Sequence, residues 1–288
     1  MTTEQRAEIS CNTTGPWDSK TLGGSWKRGI VNPDLEEERK NLSFDTDELQ
    51  KFFYTEPMFN FIKEMNELCA KHPELYEGLL NKYELTREEI FDLHWKRIHR
   101  LMELKPEIFL GHDYKKFWYI WSNYFADVAH PVAQHQLMFC ACIDFLGSEE
   151  QKAEWFEPAR RMNMVGCYAQ TELGHGSFVP GIETTATLDM KTDEFIIHTP
   201  HVKAAKYWPG QMAMGTHAIL FARVIVDEND YGVWPFMVQL RSLEDHMPLP
   251  GIEIGDVGAK LGFNMIDNGY GIFTHVRIPR TNLLSRFV

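Results

Sequence analysis

The chain has 288 residues, about two domains of ordinary size, and its 44% apolar and 24% charged content is typical of a globular protein. Its 29 Lys and Arg residues against 41 Asp and Glu residues give a net charge of −12, which argues against a general electrostatic grip on nucleic acid or on an anionic membrane surface. No apolar stretch approaches the ~18 residues that a membrane-spanning helix needs. We therefore predict no nucleic-acid partner and no membrane span.

The number and spacing of the cysteines bear on metal binding and on redox state. There are five of them, an odd number, and their spacing fits no metal site: Cys11, Cys69, Cys140, Cys142 and Cys167. We predict reduced cysteines with a structural role, in a reducing compartment.

Residues 1–31 predict an extended leader, because they contain Gly, Ser, Thr and Pro with little periodicity. The leader lacks the apolar core of a secretory signal. It also contains Glu4, Glu8 and Asp18, which are untypical of a mitochondrial transit peptide. The segment gives no recognisable targeting signal.

Residues 32–165 predict an all-helical N-terminal domain. Near its start, Asp45 or Thr46 can cap a helix, and Pro57 marks a break or kink in the apolar pattern that follows. Later, the stretch from Tyr114 to Phe145 is rich in aromatic residues and apolar almost all round, as in helices buried within a bundle.

Two capping boxes mark further helix starts in this domain. Thr86 with Glu89 predicts a helix that runs to Pro106. Ser148 with Gln151 predicts another helix, which continues through Trp155 and beyond.

Residues 166–288 predict a strand-rich middle domain, because short β-forming runs alternate with turn residues. One hairpin is predicted from Glu183–Leu188 and Phe195–Ile197, and a second from Ala218–Val226 and Val233–Leu240. Extended segments are also predicted at 251–257 and 270–278. The fold class is α+β, with the helical domain followed by an antiparallel β-barrel or sandwich.

No common catalytic or metal motif is present. The sequence contains no P-loop, no H-E-x-x-H and no G-x-S-x-G, and Gly174-His-Gly176 does not complete a dinucleotide fingerprint. No pair of carboxylates stands out as a general base. From the residues alone we assign no catalytic residue and no metal ligand.

Two glycine-bearing loops nevertheless have a composition that could form a binding site. The first runs from Cys167 to Ser177, and the second is Lys206-Tyr-Trp-Pro-Gly210. Together they offer hydroxyl, backbone N–H and indole surfaces that suit an aromatic cofactor ring. The residues by themselves leave a second interpretation open, in which both loops are conformationally demanding turns.

Further motifs follow one another along the chain: Asn32–Leu35, Glu38-Arg39, Ser43-Phe44, Tyr168–Gly176, Glu183–Thr187, Glu194–Ile196, Lys206–Gly210, Pro248–Ile252, Gly255-Asp256, Asp267–Gly269 and Arg277–Leu284. In this order they resemble the acyl-CoA oxidases, flavoenzymes of the acyl-CoA dehydrogenase superfamily. The resemblance covers most of the chain, and Tyr168–Gly176 is similar almost letter for letter to the family's flavin-side loop.

The resemblance implies oxidation of the Cα–Cβ bond of a fatty acyl-CoA to a trans-2-enoyl-CoA, with FAD as cofactor and O2 reduced to H2O2. It also implies fatty acid β-oxidation, a peroxisomal location and a homodimer when complete. Carried over by position, the resemblance implies that Thr171 hydrogen-bonds the flavin through its hydroxyl or its backbone, that Gly210 contacts it through backbone and that Trp208 packs against it.

The sequence departs from the family in two places. Tyr207-Trp208 replaces a common Trp-Trp, which keeps an aromatic surface, and Gln211–Gly215 replaces a Gly-Lys-Thr-like stretch. The second change removes a basic side chain, and with it the basis for predicting a phosphate contact at this loop.

The family's C-terminal helical domains, which bring the catalytic glutamate, do not follow Val288 in this sequence. We expect the chain to be the amino-terminal part of an acyl-CoA oxidase and to be inactive on its own. Two alternatives stay open: a non-enzymatic binding or assembly subunit with the same fold, and an acyl-CoA dehydrogenase with a protein electron acceptor.

Overall fold

The computed structural model describes residues 33–75, 84–110, 113–124 and 132–287. The predicted leader at 1–31 lies outside the described residues. The chain divides into two units, Met1–Met65 and Asn66–Val288. The helices, in chain order, are α1 Pro33–Lys40, α2 Thr46–Tyr54, α3 Glu56–Lys71, α4 Arg87–Leu104, α5 Pro106–Leu110, α6 Tyr114–Tyr124, a π-helix His135–Phe139, α7 Cys140–Leu146 and α8 Glu149–Arg160.

The start of α2 follows the predicted capping pattern. The Asp45 carboxylate accepts hydrogen bonds from the backbone N–H groups of Asp47 and Glu48, at 2.8 and 3.0 Å. The break before the next helix falls at Thr55, whose φ is 68°, and Pro57 lies in the first turn of α3. The predicted break is therefore present, and Pro57 starts a helix because its missing N–H costs nothing there.

The two predicted capping boxes are both complete. Thr86 and Glu89 exchange side-chain and backbone hydrogen bonds of 3.2 and 2.8 Å at the start of α4. Ser148 and Gln151 do the same at the start of α8, at 3.3 and 3.0 Å. Pro106 ends α4 as predicted and also begins α5. Local hydrogen bonding thus decided where these helices begin.

The strands follow the helices. In chain order they are β1 Gly166–Ala169, β2 Thr185–Asp189, β3 Glu194–His198, β4 Lys206–Tyr207, β5 His217–Val226, β6 Asn229–Gln239, β7 Ile252–Asp256, β8 Gly269–Phe273 and β9 Val276–Pro279. They form one sheet with the order β1-β5-β2-β3-β9, in which β6 also pairs with β5, and a second sheet with the order β4-β8-β7. The α+β fold class is confirmed.

Both predicted hairpins are present, with β2 antiparallel to β3 and β5 antiparallel to β6. Two other pairings differ from the predicted antiparallel arrangement, since β1 and β2 both run parallel to β5. The predicted segment 270–278 is split between the two sheets as β8 and β9. His275, with φ 51°, lies at the turn between them.

Alternation along β5 places the barrel core on one face and the helices on the other. Ala218 and Leu220 pack into the core that the two sheets enclose, together with Phe236 of β6 and Phe273 of β8. Ile219 points the other way and packs with a helical cluster: Phe139, Cys140, Ile143, Trp155 and Ala159. The π-helix is therefore held directly against the sheet.

None of the helices in the described part of the chain combines the length and apolarity needed to cross a membrane. The four cysteines in that part are free thiols, in agreement with the prediction: Cys69, Cys140, Cys142 and Cys167. Cys11 lies outside the described residues.

Candidate functional site

A mostly apolar pocket of about 390 Å³ lies within the second unit. A helical wall, a turn and a loop contribute its lining, which consists of Trp118, Ala133, Gln134, Leu137, Met138, Trp208, Phe263, Ile266 and Asn268. Its size and its apolar lining with few polar groups are typical of a small-molecule or cofactor site.

The helical wall comes from the π-helix and the residues just before it. A π-helix is rare and is frequently found at functional sites. His135 is fully buried in it; its Nδ1 accepts from the Gly166 N–H at 2.9 Å, and its Nε2 donates to the Ala159 carbonyl at 2.8 Å. Burial lowers the pKa of His135 to about 4, so the ring is neutral at pH 7.

Trp208 contributes the turn wall from a strained backbone. Its φ is 77°, a left-handed conformation that is unfavourable for a bulky residue. The Trp208 N–H donates to the Gly269 carbonyl at 2.9 Å, and its carbonyl accepts from Asn268 Nδ2 at 2.6 Å. These two hydrogen bonds hold the Trp208 backbone in this conformation, and the indole is half exposed at the pocket. Strain of this kind clusters at ligand-binding sites.

Gly210 packs against residues of the pocket lining. A Cβ at this position would meet Gln134 Cγ at 2.7 Å and Ile266 Cγ2 at 2.8 Å, and both of these residues line the pocket. The missing side chain is therefore required by packing, which is one of the ordinary uses of glycine near a ligand.

Gln211 connects the π-helix to Asp267 through hydrogen bonds. Its side-chain Oε1 accepts from the backbone N–H of His135 at 2.5 Å, and its own N–H donates to Asp267 Oδ1 at 3.1 Å. The other Asp267 oxygen accepts from the Met214 N–H at 3.0 Å. Burial raises the pKa of Asp267 to about 7, although these two backbone bonds oppose the shift.

Thr171 lies beside the turn wall without lining the pocket. Its carbonyl accepts from the Tyr207 N–H at 3.0 Å, which places it next to the segment that leads to Trp208. Among the described residues its hydroxyl has no hydrogen-bond partner. Of the three predicted site residues, the structure therefore places Trp208 in the pocket lining, Gly210 against the lining residues Gln134 and Ile266, and Thr171 beside the segment that leads to Trp208.

Glu172, the next residue, forms a buried ion pair with Lys206, with 2.9 Å between Oε1 and Nζ. Burial alone would raise the pKa of Glu172, but the Lys206 ammonium and the hydrogen bonds to Thr184 and Glu183 hold it below its ordinary value. Burial lowers the pKa of Lys206 to about 8.

Sequence reasoning missed most of the pocket. It did not single out Gln134, Gln211 or Asp267 as site residues, nor His135. The only available signals were indirect: Asp267 opens one of the family-like motifs, and Gln211 opens the stretch that departs from the family.

The pocket offers binding chemistry and no evident proton transfer. None of the residues found to line it carries a carboxylate or an imidazole. Within the described ranges there is also no group of three or more His, Cys, Asp or Glu side chains that could hold a metal ion. Two indoles and two side-chain amides instead suit a flat aromatic group with polar edges.

The chain is similar in sequence to known acyl-CoA oxidases. Residues 45–165 match the family model for the acyl-coenzyme A oxidase N-terminal domain. The chain is 41% identical over 257 residues to peroxisomal acyl-coenzyme A oxidase 1 of Arabidopsis thaliana, covering 88% of this chain and 38% of that relative. It is 38% identical over 278 residues to peroxisomal acyl-coenzyme A oxidase 2 of Mus musculus, covering 94% and 39%.

Solved structures agree with the sequence matches. Acyl-CoA oxidase-2 of Caenorhabditis elegans, bound with FAD, ascaroside-CoA and ATP, has a TM-score of 0.84 and 38% identity, covering 90% of this chain and 39% of that one. The tomato acyl-CoA oxidase has a TM-score of 0.77 and 40% identity, covering 88% and 38%. The chain spans about two fifths of the length of these relatives, and its resemblance to them is confirmed.

Proposed function

We propose, from the premise that this chain has the fold and motifs of the acyl-CoA oxidases, that it forms the flavin-side part of an FAD-dependent acyl-CoA oxidase. The reaction converts a fatty acyl-CoA and O2 to a trans-2-enoyl-CoA and H2O2. When bound, FAD supplies the hydride acceptor and passes the electrons to O2. The protein's own task is to bind, orient and shield the reacting groups.

One observation carries the proposal: the strained Trp208 turn presents a half-exposed indole to one mostly apolar pocket, and Gly210 packs tightly against two residues that line it, Gln134 and Ile266. The residues present fit a flavin, because a flat ring needs an apolar surface and close backbone approach. Thr171 adds a hydroxyl that is unpartnered among the described residues and is free to donate to a polar ring edge. In this assignment Trp208 packs against the cofactor, Gly210 contacts it through backbone and Thr171 donates a hydrogen bond.

The base that removes the α-proton is proposed to lie outside residues 1–288. The observation in support is the lining of the pocket, where the residues identified include no carboxylate. Loss of such a group typically costs ~10²–10⁴ in rate. Residues 1–288 alone should therefore show no ordinary turnover. Homodimer formation and a peroxisomal location complete the proposal; the Arabidopsis and mouse relatives are named peroxisomal.

The experiment uses the intact protein that carries this chain. FAD is titrated into the apoprotein, palmitoyl-CoA is added without oxygen, and bleaching of the flavin absorbance is followed before air is admitted. We expect stoichiometric FAD binding, bleaching by the acyl-CoA and peroxide formation in air. Residues 1–288 serve as the comparison and should form no peroxide at ordinary enzyme rates.

Each other result has a distinct meaning. Bleaching without peroxide would favour a dehydrogenase with a protein electron acceptor. Failure of the intact protein to bind FAD would contradict the proposal and favour a non-enzymatic assembly subunit. Turnover by residues 1–288 alone would show that a base lies within this sequence.

A further inference from the structure

The ion pair between Glu172 and Lys206 is one of the least accessible features of the described chain. Glu172 is 2% exposed and Lys206 is 0% exposed. Removing two charges from water is costly, and well-packed apolar side chains of similar volume are often at least as stable as such a pair. Fold stability alone therefore gives no reason for these two charges.

The Glu172 carboxylate is almost saturated with donors. Besides Lys206 Nζ, it accepts from the N–H groups of Glu183 and Thr184, both at 2.9 Å, and from the Thr184 hydroxyl at 2.6 Å. His175 Nε2 lies 3.3 Å from Glu172 Oε2. Such a network fixes the carboxylate in one position, because four donors bind its two oxygens.

The Lys206 ammonium is anchored as firmly. It donates to Glu172 Oε1 at 2.9 Å and to the Gln170 carbonyl at 3.2 Å. The Lys206 ammonium therefore binds the backbone of Gln170, which precedes Thr171, and the side chain of Glu172, which follows it.

The pair lies where the two glycine-bearing loops cross. Glu172 directly follows Thr171, and Lys206 precedes Trp208 by two residues. Between them the Tyr207 N–H donates to the Thr171 carbonyl at 3.0 Å, and the Leu173 N–H donates to the Ala205 carbonyl at 2.9 Å. The two charged side chains therefore belong to the same backbone bridge that joins Thr171 to the segment leading to Trp208.

We propose that Glu172 and Lys206 are positioning residues, which set the spacing between Thr171 and Trp208 and thereby the affinity for the flavin ring. This inference rests on the proposed function for the identity of the ligand. Neither side chain is required to touch the cofactor.

The test separates positioning from stability with a double variant of the intact protein. Each single variant, Glu172→Gln or Lys206→Met, leaves one buried charge unpaired and should lower the melting temperature strongly. Glu172→Gln with Lys206→Met removes both charges, so the melting temperature should return to near that of the parent. Affinity for FAD should nevertheless stay at least about 10-fold below that of the parent. Parent-like FAD affinity in a stably folded double variant would overturn the proposal.

An exposed ion pair on the larger sheet provides the control. Arg277 and Glu194 pair across β3 and β9, with 3.0 Å between Nη1 and Oε2. The double variant Glu194→Gln with Arg277→Met should change neither the melting temperature nor FAD affinity appreciably. If the control weakens FAD binding as much as the buried double variant does, the effect is not specific and the proposal fails.

Hydrogen exchange of the Tyr207 amide gives a readout that needs no flavin. In the double variant this amide should exchange at least about 10-fold faster, because its bond to Thr171 loses the support of the pair. Unchanged exchange would overturn the positioning role even if the proposed function holds. If the parent binds no FAD, the proposed function fails, and the exchange result still decides whether the pair positions the loops.

A milder variant covers the case in which the double variant does not fold. Thr184→Val removes one hydroxyl donor from Glu172 Oε1 and keeps both charges. It should weaken FAD binding severalfold and, like the double variant, make the Tyr207 amide exchange faster than in the parent. A lowered melting temperature with neither change would also overturn the proposal.

Discussion

On the helical side of the pocket His135 is fully buried and neutral, and both of its ring nitrogens are bonded to backbone groups. On the turn side, structure is held by carboxyl groups: Glu172 with the Lys206 ammonium, and Asp267 with the N–H groups of Gln211 and Met214. Both sides are buried; His135 on the helical side bonds the backbone as a neutral ring, whereas Glu172 on the turn side is paired with a cation.

The difference follows from the backbone on each side. A helix satisfies most of its own N–H and C=O groups, so the π-helix needs only a neutral side chain to join it to the neighbouring segments. A turn such as 207–214 leaves several backbone groups unpaired and contains the left-handed Trp208 and Gln211. The Asp267 carboxyl group accepts from two of these N–H groups, those of Gln211 and Met214.

The largest expected effect is on the turn side. Lys206→Met leaves the Glu172 carboxylate buried without its cation, and we expect a loss of about 3–5 kcal/mol in the free energy of unfolding. Denaturant unfolding at pH 7 measures it. The exposed Lys96, paired with Asp92 at 2.6 Å, provides the control: Lys96→Met should cost at most about 1 kcal/mol. Equal losses would show that burial of the charge is not what matters.

The helical side should be most sensitive to shape. A Cβ at Gly166 would overlap the ring of Phe139, which is fully buried in the π-helix. Gly166→Ala should therefore cost about 1–3 kcal/mol of unfolding free energy through overpacking. Gly176→Ala is the control, because a Cβ at that position meets no atom within 4 Å. A parent-like melt for Gly166→Ala would mean that the π-helix can shift freely.

His135 on the helical side and Asp267 on the turn side should give opposite signs of pH dependence. The pKa of His135 falls from 6.5 to about 4 on folding, so the unfolded chain binds the extra proton between these values. This contribution to stability is therefore present above pH 6.5 and is lost as the pH falls toward 4, by at most about 1.4 kcal/mol per pH unit. His135→Gln should remove that part of the slope. Unfolding at a series of pH values measures it, and identical slopes in parent and variant would contradict it.

Asp267 provides the opposite case. Burial raises its pKa from 3.8 to about 7 on folding, so here the folded chain binds the extra proton. Its contribution to stability is greatest below pH 3.8 and declines as the pH rises toward 7, again by at most about 1.4 kcal/mol per pH unit. The stability difference between the parent and Asp267→Asn should thus shift in favour of the variant as the pH rises. A shift in favour of the parent would reverse the assignment.

The smallest expected effect concerns Thr171. Thr171→Val keeps the shape and deletes a donor, which is worth ~0.5–1.5 kcal/mol for a neutral hydrogen bond and ~1.5–3 kcal/mol for one to a charged group. Reduced flavin gains negative charge, so the variant should have a lower flavin midpoint potential and an unchanged melting temperature. Spectroscopic redox titration beside a thermal melt tests this. A destabilised fold with an unchanged potential would mean that Thr171 only supports the turn.

Much of the fold could be predicted from short-range signals. Asp45, the Thr86–Glu89 box and the Ser148–Gln151 box fix helix starts through bonds between near neighbours in sequence. The hairpins likewise follow from alternation and turn residues. The loops of the candidate site could also be found, because Tyr168–Gly176 and Lys206–Gly210 have unusual glycine and aromatic content. What each residue contacts could not be found in this way.

The sequence by itself determined the helix-then-strand order, the capped helix ends, the two hairpins and the resemblance to acyl-CoA oxidases. Only the tertiary structure decided the parallel pairing of β1 and β2 with β5, the π-helix and the pocket. It also decided the contacts of Gln211 with His135 and Asp267, which lie 76 and 56 residues away along the chain. Such contacts depend on how distant segments pack, and no local preference for helix, strand or turn encodes that packing.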